Sequence, residues 1–194
     1  MNNKIEYGIS SKPKINESVN GDAYFIGNDN NTFLGVIADG LGHGMSANKA
    51  SKAAVNYIAD NISKSVVDLI YGCNKILKGT TGAALGIVKM NLSENKVEVA
   101  GVGDINFKAK SKGDFNPATI SGTVGYNLRK VESYSYPLNK GDVICMFSDG
   151  ISSDFELKEY LDMKAQESAE FISTLHRKEL DDSTVMVLKH IAND

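Results

Sequence analysis

Two stretches of this chain, Phe33-Leu34-Gly35-Val36-Ile37-Ala38 and Val143-Ile144-Cys145-Met146-Phe147, are apolar throughout. Both run into an acidic residue and a glycine: Asp39-Gly40 directly, and Asp149-Gly150 after Ser148. A short, wholly apolar run bounded by turn residues suits a strand buried on both faces. Such strands need cover above and below, so they call for a layered domain.

The rest of the chain supplies those layers. Residues 23–26 form an apolar run that pairs with 33–38 across the polar loop Asn28-Asp29-Asn30-Asn31, since Asn and Asp tolerate left-handed turn conformations. Ala47, Ala50, Ala54, Tyr57, Ile58 and Ile62 recur at helical spacing, with Lys49, Lys52 and Asp60 on other faces, which predicts a helix lying close against a sheet. A second helix is expected over about 65–78, with Val66, Leu69, Ile70, Cys73 and Leu77 on one side. Strands follow at 83–90, 97–100, 105–109, 131–136 and 143–147, with a turn at 91–95 and a loop over 114–127. Two short helices, about 156–161 and 165–175, precede a last strand at 184–189. Helices and strands do not alternate one by one, as a parallel α/β fold requires. The expected class is α+β: an α-β-β-α sandwich of two packed, mainly antiparallel sheets with helix pairs outside. No composition break or repeat divides the 194 residues, so a single domain over 1–194 is expected.

Composition narrows the function. A net charge of -3 with 23% charged residues gives no electrostatic case for nucleic acid or a membrane surface. No apolar run approaches the roughly 18 residues of a membrane span. The N-terminal run Met1-Asn2-Asn3-Lys4-Ile5-Glu6 lacks the apolar core of a signal peptide. Cys73 and Cys145 stand far apart in apolar contexts, so they build neither a disulfide framework nor a zinc knuckle. Two buried thiols in a reducing cytoplasm are expected.

Acidic residues mark the ends of the strands. Asp22 follows Gly21, Asp39 and Asp149 each precede a glycine, Asp104 follows Gly103, and Asp181-Asp182 leads into the last strand. Any one Asp-Gly reads most simply as a turn. Several such rims brought together leave negative charge that a hard divalent cation balances. Of the three histidines, His43, His176 and His190, no two stand at metal-pair spacing, so the donors are oxygens and favour Mg²⁺ or Mn²⁺. Gly40 and Gly150 admit close backbone approach, which brings a carbonyl within reach as a further ligand. Two such ions about 3.5–4 Å apart clamp an in-line displacement at phosphorus, with a bridging water as nucleophile.

Six motifs occur in order: Asn20-Gly21-Asp22-Ala23, Ala38-Asp39-Gly40-Leu41-Gly42-His43-Gly44, Gly79-Thr80-Thr81-Gly82-Ala83, Val102-Gly103-Asp104-Ile105-Asn106, Phe147-Ser148-Asp149-Gly150 and Asp181-Asp182-Ser183-Thr184. Together they resemble the metal-dependent protein serine/threonine phosphatases of the protein phosphatase 2C type, in their short bacterial branch. The resemblance implies that Asp39 bridges two metals with the Gly40 carbonyl on one of them, and that Asp149 and Asp181 hold the other. It implies a water-mediated or supporting role for Asp22 and a weak third metal at Asp104. The implied substrate is phosphoserine or phosphothreonine on a regulatory protein of the sulfate-transporter/anti-sigma-antagonist type, which tunes a stress sigma factor. His43 is a candidate to protonate the leaving serine oxygen; a solvated turn histidine is the plainer reading. Thr80 and Thr81 read as a turn that opens a strand.

Four features depart from the family pattern, one being the short stretch between Asp104 and Asp149, which leaves little room for the flap of larger members. Asn106 stands where an arginine is usual, Gly21 where an acidic residue is common, and no arginine precedes Asp22, leaving Lys12 and Lys14. These departures keep open a second reading, a phosphatase-fold module that docks a phosphoprotein with little turnover. Hydrolysis of small phosphate esters is a third.

Overall fold

The computed structural model describes residues 3–29, 31–113, 115 and 117–192. Asn30 of the expected hairpin loop, Asp114 and Asn116 of the expected 114–127 loop, Met1 and Asn2 of the N-terminal run, and Asn193 and Asp194 of the expected domain lie outside the described residues. Among the described residues nine strands form two sheets. One holds β1 (Asn3–Lys12), β9 (Ser183–Ala192), β8 (Val143–Phe147) and β6 (Asn106–Lys110), in that order. The other holds β2 (Asp22–Asp29), β3 (Thr32–Gly40), β4 (Ala83–Asn91), β5 (Lys96–Val102) and β7 (Tyr134–Pro137). Every pairing between these strands is antiparallel.

Three layers of core account for the apolar runs. Along β3, Phe33 and Ile37 face the second sheet, where they meet Met186, Leu188, Ile144 and Met146. The alternate residues Leu34, Val36 and Ala38 face the helices α1 (Gly44–Ala59) and α2 (Val66–Ile76). Along β8, Val143, Cys145 and Phe147 turn to the opposite outer layer, under α3 (Ala165–His176). A strand covered on both faces keeps no polar face, which is why neither run alternates. Ala47, Ala50 and Ala54 are fully buried, so α1 lies close on its sheet. Ser65 accepts a hydrogen bond from the Asp68 N–H and so caps α2.

The expected α-β-β-α sandwich is present, with some differences. β1 has no counterpart in the expected strands, and its pairing with β9 extends the last strand from 189 to Ala192. The second outer layer holds one α-helix, because 156–161 forms only a 3₁₀ turn, Leu157–Tyr160. The strand expected at 131–136 is the short edge strand Tyr134–Pro137, and α1 ends at Ala59, short of Ile62.

Candidate metal centre and active site

The two sheets bring their carboxylates to one end of the sandwich. Asp22 and Asp39 are direct cross-strand partners in β2 and β3, and Asp39 also faces Ala84 of β4. From the other sheet, Asp149 follows β8 and Asp181 precedes β9. Asp39, Asp104, Asp149 and Asp181 line a single cavity of about 290 Å³, together with Lys14 and His43.

Close backbone contacts hold this end together, and they account for the two Asp-Gly pairs. A Cβ on Gly40 would stand 2.1 Å from the Ala47 carbonyl oxygen, so only glycine lets α1 begin against the end of β3. A Cβ on Gly150 would stand 1.9 Å from the Asp182 carbonyl oxygen, so the turn after Asp149 closes on the turn before β9. The Lys178 N–H donates to the Gly150 carbonyl at 2.8 Å, and Lys178 Nζ donates to the Asp149 carbonyl at 2.7 Å.

The negative charges at this end outnumber the positive ones beside them. Burial, reinforced by the charges of Asp22, Asp149, Asp181 and Asp182, pushes the Asp39 carboxyl up to about 9. Burial pushes Asp22 up to about 6, against the pull of hydrogen bonds from Ser148 and Thr184. Asp149 is raised by burial and by Asp181 and Asp104, while Lys178 and a hydrogen bond with Asp39 hold it down. Carboxyls that retain protons so far above their ordinary range mark a site short of positive charge.

The sequence candidates separate into those that reach the cavity and those that do not. Asp22 is buried behind it, bonded to Ser148, and its Oδ1 has no partner. It borders a neighbouring cavity between β2 and α1. Asp182 is also buried; its Oδ1 accepts from the Lys14 N–H at 2.9 Å and its Oδ2 is unpartnered. Of the adjacent pair, it is Asp181 that lines the cavity. Asn106 turns its amide onto the Asp104 carbonyl at 3.0 Å. Thr80 accepts from the Gly82 N–H and donates to the Leu77 carbonyl, which makes it a turn residue. Of the two lysines left in place of an arginine, Lys14 is on the cavity wall, whereas Lys12 lies in β1. Sequence reasoning did not single out Ser148, Lys178 or Glu17. Ser148 stands inside a motif that was noticed for its aspartate, and the other two reach the site only through the fold.

Among the described residues no three acidic, imidazole or thiol side chains already close on a point where they could hold an ion. The carboxylates share a cavity wall instead. Their chemistry still fits a hard divalent cation: the donors are oxygens, burial and mutual repulsion raise Asp39 and Asp149 above the ordinary carboxylate range, and just behind the wall one oxygen each of Asp22 and Asp182 is buried without a partner.

The sequence model of the family described as Stage II sporulation protein E (SpoIIE) matches residues 29–193. The phosphoserine phosphatase RsbX of Bacillus subtilis (strain 168) is 28% identical over 153 residues, which is 78% of this chain and 77% of that protein. A solved structure described as the bacterial stressosome, "a modular system that has been adapted to control secondary messenger signaling", is 26% identical with a TM-score of 0.92, covering 96% of this chain and 100% of that one. RsbX in complex with magnesium is 25% identical with a TM-score of 0.87, covering 96% of this chain and 95% of that one.

Proposed function

This chain belongs to the Stage II sporulation protein E (SpoIIE) family, the phosphatase domain of SpoIIE from Bacillus subtilis being of the protein phosphatase 2C type, and from that premise we propose that it hydrolyses phosphoserine or phosphothreonine on a protein of a bacterial stress-response pathway. The observation that carries this reading is the convergence of Asp39, Asp104, Asp149 and Asp181, drawn from both sheets, on one cavity. Asp39, the Gly40 carbonyl, Asp149 and Asp181 are the residues that would hold two Mn²⁺ or Mg²⁺ ions, with Asp104 at a third, weaker position. Asp22 acts from behind, through its buried place beside Asp39. When bound, such ions supply Lewis acidity, which makes water nucleophilic at neutral pH and offsets the charge on phosphate.

The chain's own groups do the rest. Lys14 on the cavity wall offers a positive charge to the phosphate dianion. Lys178, held on the Asp149 carbonyl, keeps the turn carrying that carboxylate against the turn carrying Asp181. His43, on the same wall, donates the proton that the departing serine oxygen needs. The domain spans 1–194. The phosphoprotein partner is of the sulfate-transporter/anti-sigma-antagonist type, a reading supported by the likeness to RsbX and to the stressosome structure. A cytoplasmic location accords with two buried free thiols, Cys73 and Cys145, which burial pushes up to about 12. Among the described residues no helix is long and apolar enough to cross a membrane.

The test is phosphate release from a phosphoserine protein with Mn²⁺, with chelator, and with Asp149→Asn. Turnover that needs Mn²⁺ and is lost in the variant is expected. Turnover in excess chelator contradicts the reading, and Mn²⁺ binding without turnover leaves the docking module in its place.

A further inference from the structure

We propose that Glu17 is a positioning residue for His43, forming a carboxylate–imidazole pair at the mouth of the acidic cavity; the inference rests on the phosphatase reading above and deepens it. His43 Nδ1 lies 3.1 Å from Glu17 Oε1. An ionised carboxylate only accepts hydrogen bonds, so Nδ1 carries the hydrogen. Nε2 is then the ring atom that exchanges protons, on a side chain that shares the cavity wall with Asp39, Asp149 and Asp181.

Both partners are held in place. His43 has an extended backbone (φ -142, ψ 170) between Gly42 and Gly44, whose φ values of +87 and +70 a side chain rarely adopts. Glu17 sits on a turn tied at several points: its own N–H donates to the Lys14 carbonyl at 3.0 Å, the Ile15 N–H donates to the Glu179 carbonyl at 2.9 Å, and the Lys14 N–H donates to Asp182 Oδ1 at 2.9 Å. Stability does not account for the pair. The His43 and Glu17 side chains are 56% and 34% exposed, and ion pairs so open to water add little. Glu17 Oε2 also lies near Gly44 at the start of α1, a helix with no acidic residue in its own first turn. The positive end of that helix favours a carboxylate beside it, and the carboxylate orients the ring.

In the reaction, a water oxygen forms a bond to phosphorus while the ester P–O bond breaks. The bonding pair stays on the serine oxygen, which takes the proton from Nε2. The attacking water gives up a proton to solvent, and the ring recovers one from solvent. The products are a free hydroxyl and phosphate. Orientation of this kind matters most when the leaving oxygen is a poor leaving group.

The experiment compares two esters of similar size on the full-length, Mn²⁺-supplemented protein: benzyl phosphate, whose leaving alkoxide resembles that of serine, and p-nitrophenyl phosphate, whose phenolate leaves without a proton. Glu17→Ala is expected to lower kcat on benzyl phosphate about tenfold more than on p-nitrophenyl phosphate. Glu17→Gln, whose amide oxygen still accepts from Nδ1–H, is expected to restore most of that difference. Adding Glu17→Ala to His43→Asn is expected to bring no further loss. Equal losses on both esters, or additive losses in the double variant, overturn the proposal. The ¹⁵N signals of His43 in alkaline buffer give a readout apart from turnover: the Nδ1–H tautomer is expected in the unaltered protein and its loss in Glu17→Ala. A dominant Nε2–H tautomer in the unaltered protein overturns the pair. Failure of the unaltered protein to release phosphate from either ester and from a phosphoserine protein instead sinks the phosphatase reading on which the pair depends.

Discussion

Ser148 donates a 2.7 Å hydrogen bond to Asp22 across the interior, joining the end of β8 in one sheet to the start of β2 in the other. The same hydroxyl oxygen accepts from the Thr184 N–H at 2.9 Å, so one side chain links three strand ends just behind the cavity. Ser148→Ala leaves a buried carboxylate and a buried N–H without this partner. A loss of about 1–3 kcal/mol in unfolding free energy is expected by urea denaturation. Unchanged stability would show that Asp22 is held by something else.

The buried acids set a pH dependence for the metal-free protein. Asp22 rises from 3.8 to about 6 and Asp39 from 3.8 to about 9. The folded state therefore holds protons that the unfolded state has already released. Stability from these groups is full below 3.8 and falls as pH rises, through about 6 for Asp22 and about 9 for Asp39. The metal-free Tm should decline across that window. Mn²⁺ should flatten the decline and release protons on binding, as calorimetry in two buffers can read. A metal-free Tm that climbs steadily over the window contradicts the shifts.

Gly150→Ala tests how closely the two acidic turns must approach. Its Cβ would meet the Asp182 carbonyl oxygen at 1.9 Å, whereas a Cβ on Gly113 meets nothing within 4 Å. The first change should cost about 1–3 kcal/mol and weaken Mn²⁺ binding about tenfold or more, because Asp149 and Asp181 part. The second should leave both properties within error. Equal behaviour of the two variants would show that the turns need not touch.

Asp181 and Asp182 are neighbours with different tasks. Asp181 lines the cavity, and Asp182 is buried and anchors the Lys14 N–H. Asp181→Asn should weaken Mn²⁺ binding with little change in Tm, and Asp182→Asn should lower Tm more than it lowers affinity. Differential scanning fluorimetry and metal titration separate the two, and the reverse pattern exchanges their roles.

Much of the sandwich is legible in the chain because β3 and β8 are buried on both faces, and a short apolar run that does not alternate suits a strand covered above and below. β1 is harder to read. Ile5, Tyr7 and Ile9 do alternate, but Tyr7 stays 50% exposed, and the strand is held by its pairing with β9 at the far end of the chain rather than by its own pattern. The 3₁₀ turn at Leu157–Tyr160 reads as helix because Leu157 and Tyr160 are both buried, at a spacing that suits either geometry.

At the site, residue type and strand-end position pick out Asp22, Asp39, Asp104, Asp149, Asp181 and Asp182 alike, and only the family resemblance prefers Asp181 to Asp182. Neither says which carboxylates reach the cavity. Asp22 and Asp182 share every sequence property of the others, and only the approach of the two sheets buries them. Long-range partners such as Glu17 for His43 leave no local trace, since nothing in the 26 positions of chain from one to the other requires the contact.

The most direct measurement of the central claim is anomalous diffraction at the manganese edge from a crystal soaked in Mn²⁺. Two peaks among the oxygens of Asp39, Asp149 and Asp181, with the Gly40 carbonyl beside one, are expected. A fully soaked crystal with no peak in this cavity, or with its peaks elsewhere on the molecule, would contradict it.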